Sequence, residues 1–207
     1  MSNRKTKILK VKGDWEEVVN DCRATVGKEE LGKEPSAAFK RAILVSEHSP
    51  IRDISIKWIW RKMKHWVTVH WVRHKWEKFV QSQREDRAEL PCPRDELPQG
   101  ELQNFTGEAN IQHFIDTMRK RLCYQASPET REYAEDLKLT IGNEVDEHIA
   151  WVMVPNCVYR CGCPETNMCK EQCFYKMLQK DAAIGSHDIQ KRYDAYNKIF
   201  KAEREVC

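Results

Sequence analysis

Apolar and basic residues alternate through Lys7-Ile8-Leu9-Lys10-Val11-Lys12, a period of two that predicts a short strand. Gly13-Asp14 then starts a helix, with Asp14 as N-cap and Trp15, Val18, Val19 and Cys22 on its apolar face. The charged stretch from Gly27 to Ser36 reads as a loop, residues 37–46 as a second helix, and His48-Ser49-Pro50 as the turn that ends it. From Ile54 the period returns to two, placing Ile54, Ile56, Trp58 and Trp60 on one side of a strand. Over residues 62–76 it changes again: Met63, Trp66, Val67, His70, Trp71 and His74 recur at helical steps. Residues 77–107 are polar, with a Pro-rich loop around 90–100. Further helices are predicted over 109–126, from Ser127-Pro128 onward, and over 186–205. The pattern predicts an α+β fold, a mixed sheet flanked by helices, with a Cys-rich C-terminal extension.

Composition adds limits. The chain has 207 residues, enough for one domain, with 41% hydrophobic and 32% charged residues. Residues 1–156 are expected to form the main domain, with 157–207 packed on it. Thirty-five Lys and Arg stand against 32 Asp and Glu, so the net charge of +3 creates no global field for nucleic acid, and nucleic acid is not the expected partner. No stretch is apolar enough to span a membrane, and the first residues do not resemble a secretory signal, which predicts a cytoplasmic protein.

The candidate chemistry begins where Arg73-His74-Lys75 is followed by Gln81-Ser82-Gln83-Arg84. Cations converging with a histidine suit a phosphate, or a ring that gains negative charge on reduction; a solvated helix end is the plain alternative. This order of residues resembles the signature of the flavin-dependent thymidylate synthase family, Arg-His-Arg followed by Ser, Asn-Glu, Ser and Arg-Tyr. His48-Ser49-Pro50-Ile51 is similar to that family's His-x-(Ser/Thr)-Pro-Phe turn, and Asp14 to Thr25 to its early Asp and Ala-Arg-Val-Ser helix. The run from Asn110 to Arg121 resembles the Asn-x-Arg-x-Leu helix ending in Leu-Arg. Five residues further, Ala126-Ser127-Pro128-Glu129-Thr130-Arg131 follows Ala-Gln-x-Glu-Ile-Arg without a gap. The resemblance spans roughly residues 8–155.

What the resemblance implies is a homotetramer with each active site at a subunit junction. The expected activity is reductive methylation of dUMP at C5, with FAD as cofactor and NADPH and methylenetetrahydrofolate as co-substrates. Carried over, Arg73, His74 and Lys75 face the flavin, and Asn110 holds its pyrimidine edge. Gln81, Ser82, Arg84 and Arg121 take the nucleotide, with Ser82 and Arg121 in catalytic positions, and His70 stands where the family has a glutamine on the uracil. Lys75 replaces an arginine, and Glu77 to Gln81 replace the Ser and Asn-Glu positions. A relative making another C5-modified pyrimidine nucleotide would read the same way.

Two features lie outside this resemblance. Cys157, Cys161, Cys163, Cys169 and Cys173 fall within one short stretch, and such clustering can supply the four ligands of zinc, although the spacings are not paired Cys-x2-Cys. Unliganded thiols are the alternative. Trp58, Trp60, Trp66, Trp71 and Trp76 are expected to pack in the core. The alternative is a stacking platform for single-stranded nucleic acid, which with the cysteines would make a metal-stabilised nucleic-acid-binding module.

Overall fold

The computed structural model describes residues 4–169 and 174–205. Four strands, β1 (Thr6–Lys12), β2 (Ser55–Lys64), β3 (Glu77–Val80) and β4 (Leu102–Asn110), form one sheet in the order β1-β2-β4-β3. Every pairing is antiparallel, so the expected mixed sheet is corrected to an antiparallel one within the expected α+β class. Trp58 pairs with Gly107, and a Cβ there would stand 2.4 Å from the Trp58 ring, so this position has room for glycine alone.

The helices cover the sheet face that carries Ile56, Trp58 and Trp60. They are α1 (Trp15–Ala24), α2 (Ala37–Ser46), α3 (His65–Trp71), α4 (Ile111–Arg121), α5 (Pro128–Glu144), α6 (Glu147–Val152), α7 (Asn156–Tyr159), α8 (Phe174–Lys180) and α9 (Ile189–Glu205). Side-chain caps set several of their starts. Asp14 accepts from Glu17 N–H at 2.9 Å, Ser36 from Phe39 N–H at 3.3 Å, and Ser127 from Thr130 N–H at 3.3 Å. Gly13 has φ +70°, and a Cβ there would meet the Asp53 carbonyl oxygen at 2.3 Å, so the entry to α1 requires glycine twice over.

Two predicted boundaries move. The helix expected over 62–76 is confined to His65–Trp71, because β2 keeps pairing with β4 through Met63↔Gln103 and Lys64↔Leu102 past a bulge at which Lys62 turns to φ 55°. The polar stretch 77–107 contains β3 and most of β4. The inward positions of β4 are Gln103, Phe105, Gly107 and Ala109, a set with one large apolar residue, because tryptophans of the neighbouring strand fill the space. Gln103 is buried with its amide donating to Thr68 Oγ1 at 2.7 Å.

Trp58, Trp60, Trp71 and Trp76 pack edge-on or stacked with ring centroids 4.7–5.6 Å apart, joined by Phe105, Phe114 and Tyr133. These four indoles are buried, so they offer no platform for bases, and Trp66 is half-buried. Phe174, Met177, Ile184, Tyr193, Tyr196 and Phe200 enter the same buried cluster. Among the described residues no helix is long and apolar enough to cross a membrane.

Candidate functional site

The chain leaves α3 in a tight turn over residues 72–76 before entering β3, and aromatic packing fixes that turn. Trp76 stacks on Trp71 at 5.6 Å and donates its indole N–H to the Trp71 carbonyl at 3.1 Å. Lys78 Nζ donates to the carbonyls of His74 (2.8 Å) and Trp76 (3.0 Å), closing the turn from the other side.

His74 is held in this corner by Arg121, at the last turn of α4. Arg121 Nε donates to His74 Nε2 at 2.6 Å, which makes that nitrogen an acceptor and leaves the ring neutral with its proton on Nδ1. Burial first, then the charges of Arg121, Lys120 and Lys78, lower the His74 pKa to about 4. Arg121 Nη2 also donates to the His70 carbonyl at 2.6 Å, so Arg121 ties both histidines together. Its guanidinium is partly buried beside Arg73, and both effects push its own pKa down. Two cations at close quarters favour an anion between them.

His70 carries a second chain of bonds. Thr130 Oγ1 lies 2.9 Å from Ser127 Oγ and 2.7 Å from His70 Nδ1, so this pair of hydroxyls orients the His70 ring. Burial and the nearby Arg121 and Arg73 lower the His70 pKa.

Arg73, His74 and Lys75 line a cavity of about 400 Å³ together with His113, Thr117 and Lys120 of α4, and with Tyr159 and Arg160 at the end of α7. Asn110 lies one helical turn before His113 and caps α4, accepting from the His113 N–H at 2.9 Å; its amide is left as a donor. A larger hollow of about 770 Å³ follows residues 85–93, where the charges pair locally in an exposed loop.

Of the expected site residues, His70, His74 and Arg121 are thus in direct contact, Arg73 and Lys75 line the cavity with His74 alone of these three, and Asn110 starts the helix that walls it. Gln81, Ser82 and Arg84 lie outside this cavity. Gln81 prolongs the β3 ladder beside Asn104, towards the start of β4, and Ser82 and Arg84 follow in an exposed loop. There Arg84 is paired with Asp86 at 2.7 Å. Sequence reading passed over Thr130 and His113, and over Arg119, which is bound by Glu47 and lies 3.5 Å over the Tyr159 ring. Glu47 takes a left-handed backbone (φ 52°) where α2 ends, a conformation that Gly or Asn would have announced.

The cysteines are a separate matter. Cys157 is buried, and burial with the neighbouring Cys123 thiol raises its pKa to about 12. Cys161 donates to the Gly185 carbonyl at 3.4 Å, and Cys163 and Cys169 are partly buried. Cys173 lies outside the described residues. Among the described residues, no three His, Cys, Asp or Glu side chains come together as a metal site.

The architecture defines the class of protein to which this chain is similar. No protein-family model and no curated protein sequence matches it. The fold is shared with the UMP/dUMP methylase PolB from Streptomyces cacaoi, whose crystal structure holds 5-Br dUMP: the TM-score is 0.59 at 13% identity, covering 72% of this chain and 95% of that one. It is also shared with the flavin dependent thymidylate synthase ThyX from Helicobacter pylori, complexed with FAD and dUMP. There the TM-score is 0.58 at 11% identity, covering 70% of this chain and 97% of that one. At these identities the likeness is one of fold.

Proposed function

We propose that this protein is a flavin-dependent methyltransferase that methylates dUMP at C5, with methylenetetrahydrofolate as carbon donor and NADPH as reductant, working as a homotetramer. The observation that carries this reading is the coupled cluster of His70, His74 and Arg121 beside the cavity lined by Arg73 and Lys75, in a fold shared with two proteins that bind deoxyuridine nucleotides. The donor set fits a flavin: the exposed Arg73 and Lys75 outnumber the single carboxylate of the lining, Asp116, and cations there favour the edge of the ring that becomes negative on reduction, and its phosphates. A cavity of about 400 Å³ suits the ring system and leaves the rest of the dinucleotide to a subunit junction.

In this reading the residues divide their tasks. Bound FAD would supply hydride transfer. Arg73 and Lys75 would hold it, and the Asn110 amide would donate to its pyrimidine edge. Arg121, already oriented by His74 and the His70 carbonyl, retains Nη1 for the nucleotide. His70, oriented by Thr130, presents Nε2–H to a uracil carbonyl and makes C5 a better nucleophile by drawing charge onto that oxygen. Gln81, Ser82 and Arg84 would serve a neighbouring subunit's site, which their exposed loop permits.

The test is tritium release from dUMP labelled at C5, measured with FAD, NADPH and methylenetetrahydrofolate present. Release dependent on all three is the expected result, with loss in Arg121→Ala and at least a tenfold reduction in Thr130→Val, about what one lost charge-directing hydrogen bond costs. No release, with FAD and dUMP both bound, would reject substitution at C5, while release with a product other than the methylated nucleotide would point to another C5 modification.

A further inference from the structure

Cations from three separate elements line the cavity beside the corner. Arg73 and Lys75 come from the turn between α3 and β3, Lys120 from the last turn of α4, and Arg160 closes α7. All four are exposed, and none has an ion-pair partner among the described residues. The remaining charges of the lining are engaged with one another or with their neighbours. Arg119 is held by Glu47 and lies 3.5 Å over the Tyr159 ring. Asp116, the one carboxylate of the lining, stands 3.6 Å from Arg119 and accepts from the Gln112 amide at 3.4 Å.

Arg160 is also oriented. Its Nε donates to Asn156 Oδ1 at 3.1 Å, one turn back, which leaves both Nη atoms for a ligand. It lies past residue 155, where the resemblance in sequence ends, so neither it nor Lys120 carries a role from that resemblance. Exposed cations gathered at one hollow with a single, neutralised carboxylate are complementary to an anion whose oxygens point several ways. A carboxylate presents one edge of two oxygens, whereas a diphosphate presents terminal oxygens on two phosphorus atoms. The guanidinium forks of Arg73 and Arg160 match such oxygens in pairs, and Lys75 and Lys120 act as point charges.

We infer that Lys120 and Arg160 are further binding residues of this site and, with Arg73 and Lys75, hold the diphosphate of a dinucleotide at the mouth of the cavity. The identity of that dinucleotide rests on the flavin reading; the diphosphate can be tested apart from it. The segment after residue 156 then serves the site directly, and the site prefers FAD to riboflavin through these two side chains.

The experiment titrates the 207-residue chain with FAD and riboflavin, followed by flavin fluorescence, and with inorganic pyrophosphate, followed by calorimetry. Wild type is compared with Lys120→Ala/Arg160→Ala and with Lys198→Ala/Lys201→Ala, which removes the same charge from exposed positions of α9. The first variant is expected to weaken FAD and pyrophosphate at least tenfold and to leave riboflavin unchanged, which also shows that the fold is intact. Arg160→Lys keeps the charge and loses the fork, and should weaken FAD about threefold. The α9 variant should change no affinity by more than about twofold. Unchanged FAD and pyrophosphate in the first variant, an equal loss for riboflavin, or an equal loss in the α9 variant would each overturn the inference. Pyrophosphate bound by wild type without either flavin, and lost in the first variant alone, would uphold the diphosphate site and reject the flavin reading; binding of none of the three would reject both.

Discussion

The corner between α3 and β3 and the loop after β3 carry the same kinds of residue and treat them in opposite ways. In the corner, Arg121 and His74 are partly buried, bonded at 2.6 Å and backed by stacked tryptophans, so their geometry is set before any ligand arrives. In the loop, Arg84 is exposed and paired only with Asp86 two residues away. The difference shows that a charged motif becomes a preorganised site only where packing removes its other options. Ser82 and Arg84 are held only by local bonds within their own loop.

The strongest way to break this contrast is to remove the wall behind the corner. Trp60 is fully buried and donates to Thr6 Oγ1 at 2.8 Å, so Trp60→Ala should cost about 3–5 kcal/mol in denaturant unfolding. Gly107→Ala drives a methyl into the Trp58 ring and should cost about 1–3 kcal/mol, with the tryptophan near-ultraviolet signal altered even where the fold survives.

Acid should act on the corner and spare the loop. The unfolded chain's His74 takes a proton below pH 6.5, whereas the folded ring does so only below about 4, so the unfolded state binds the extra proton in between. Stability is expected to fall as pH drops from 6.5 towards 4, by on the order of 1–2 kcal/mol once solvent screening of the part-exposed ring is allowed for. His74→Asn, compared by unfolding at both ends of that window, should flatten this dependence. The smallest effect belongs to the loop: Arg84→Ala should change stability by less than about 0.5 kcal/mol, while nucleotide affinity falls if the loop serves a neighbouring subunit.

Much of the frame was legible because local chemistry and packing agree in it. Asp14 and Ser127 announce helix starts and do cap them. The alternation through Ile56, Trp58 and Trp60 announces a buried strand face. The two later strands were hidden because β3 is short and exposed, and because β4 presents Gln103 and Gly107 inward beneath tryptophans that come from β2. In the site, the Arg73-His74-Lys75 run was visible as a run. The bond from Arg121 to His74 joins residues 47 positions apart, and the Thr130 hydroxyl looks like an ordinary helix-start residue until His70 is placed beside it. Long-range pairs of this kind leave no periodic trace in the chain.

The central claim is that the corner is a flavin site shared with a deoxyuridine nucleotide. The measurement that tests it most directly is the visible absorption spectrum of the protein mixed with FAD and desalted, recorded with and without dUMP, for the wild type and Arg73→Ala. Retained flavin bands that shift on adding dUMP, and that are lost in the variant, are the predicted result. A protein that leaves the column colourless under both conditions, or that keeps its flavin unchanged in Arg73→Ala, would contradict the account.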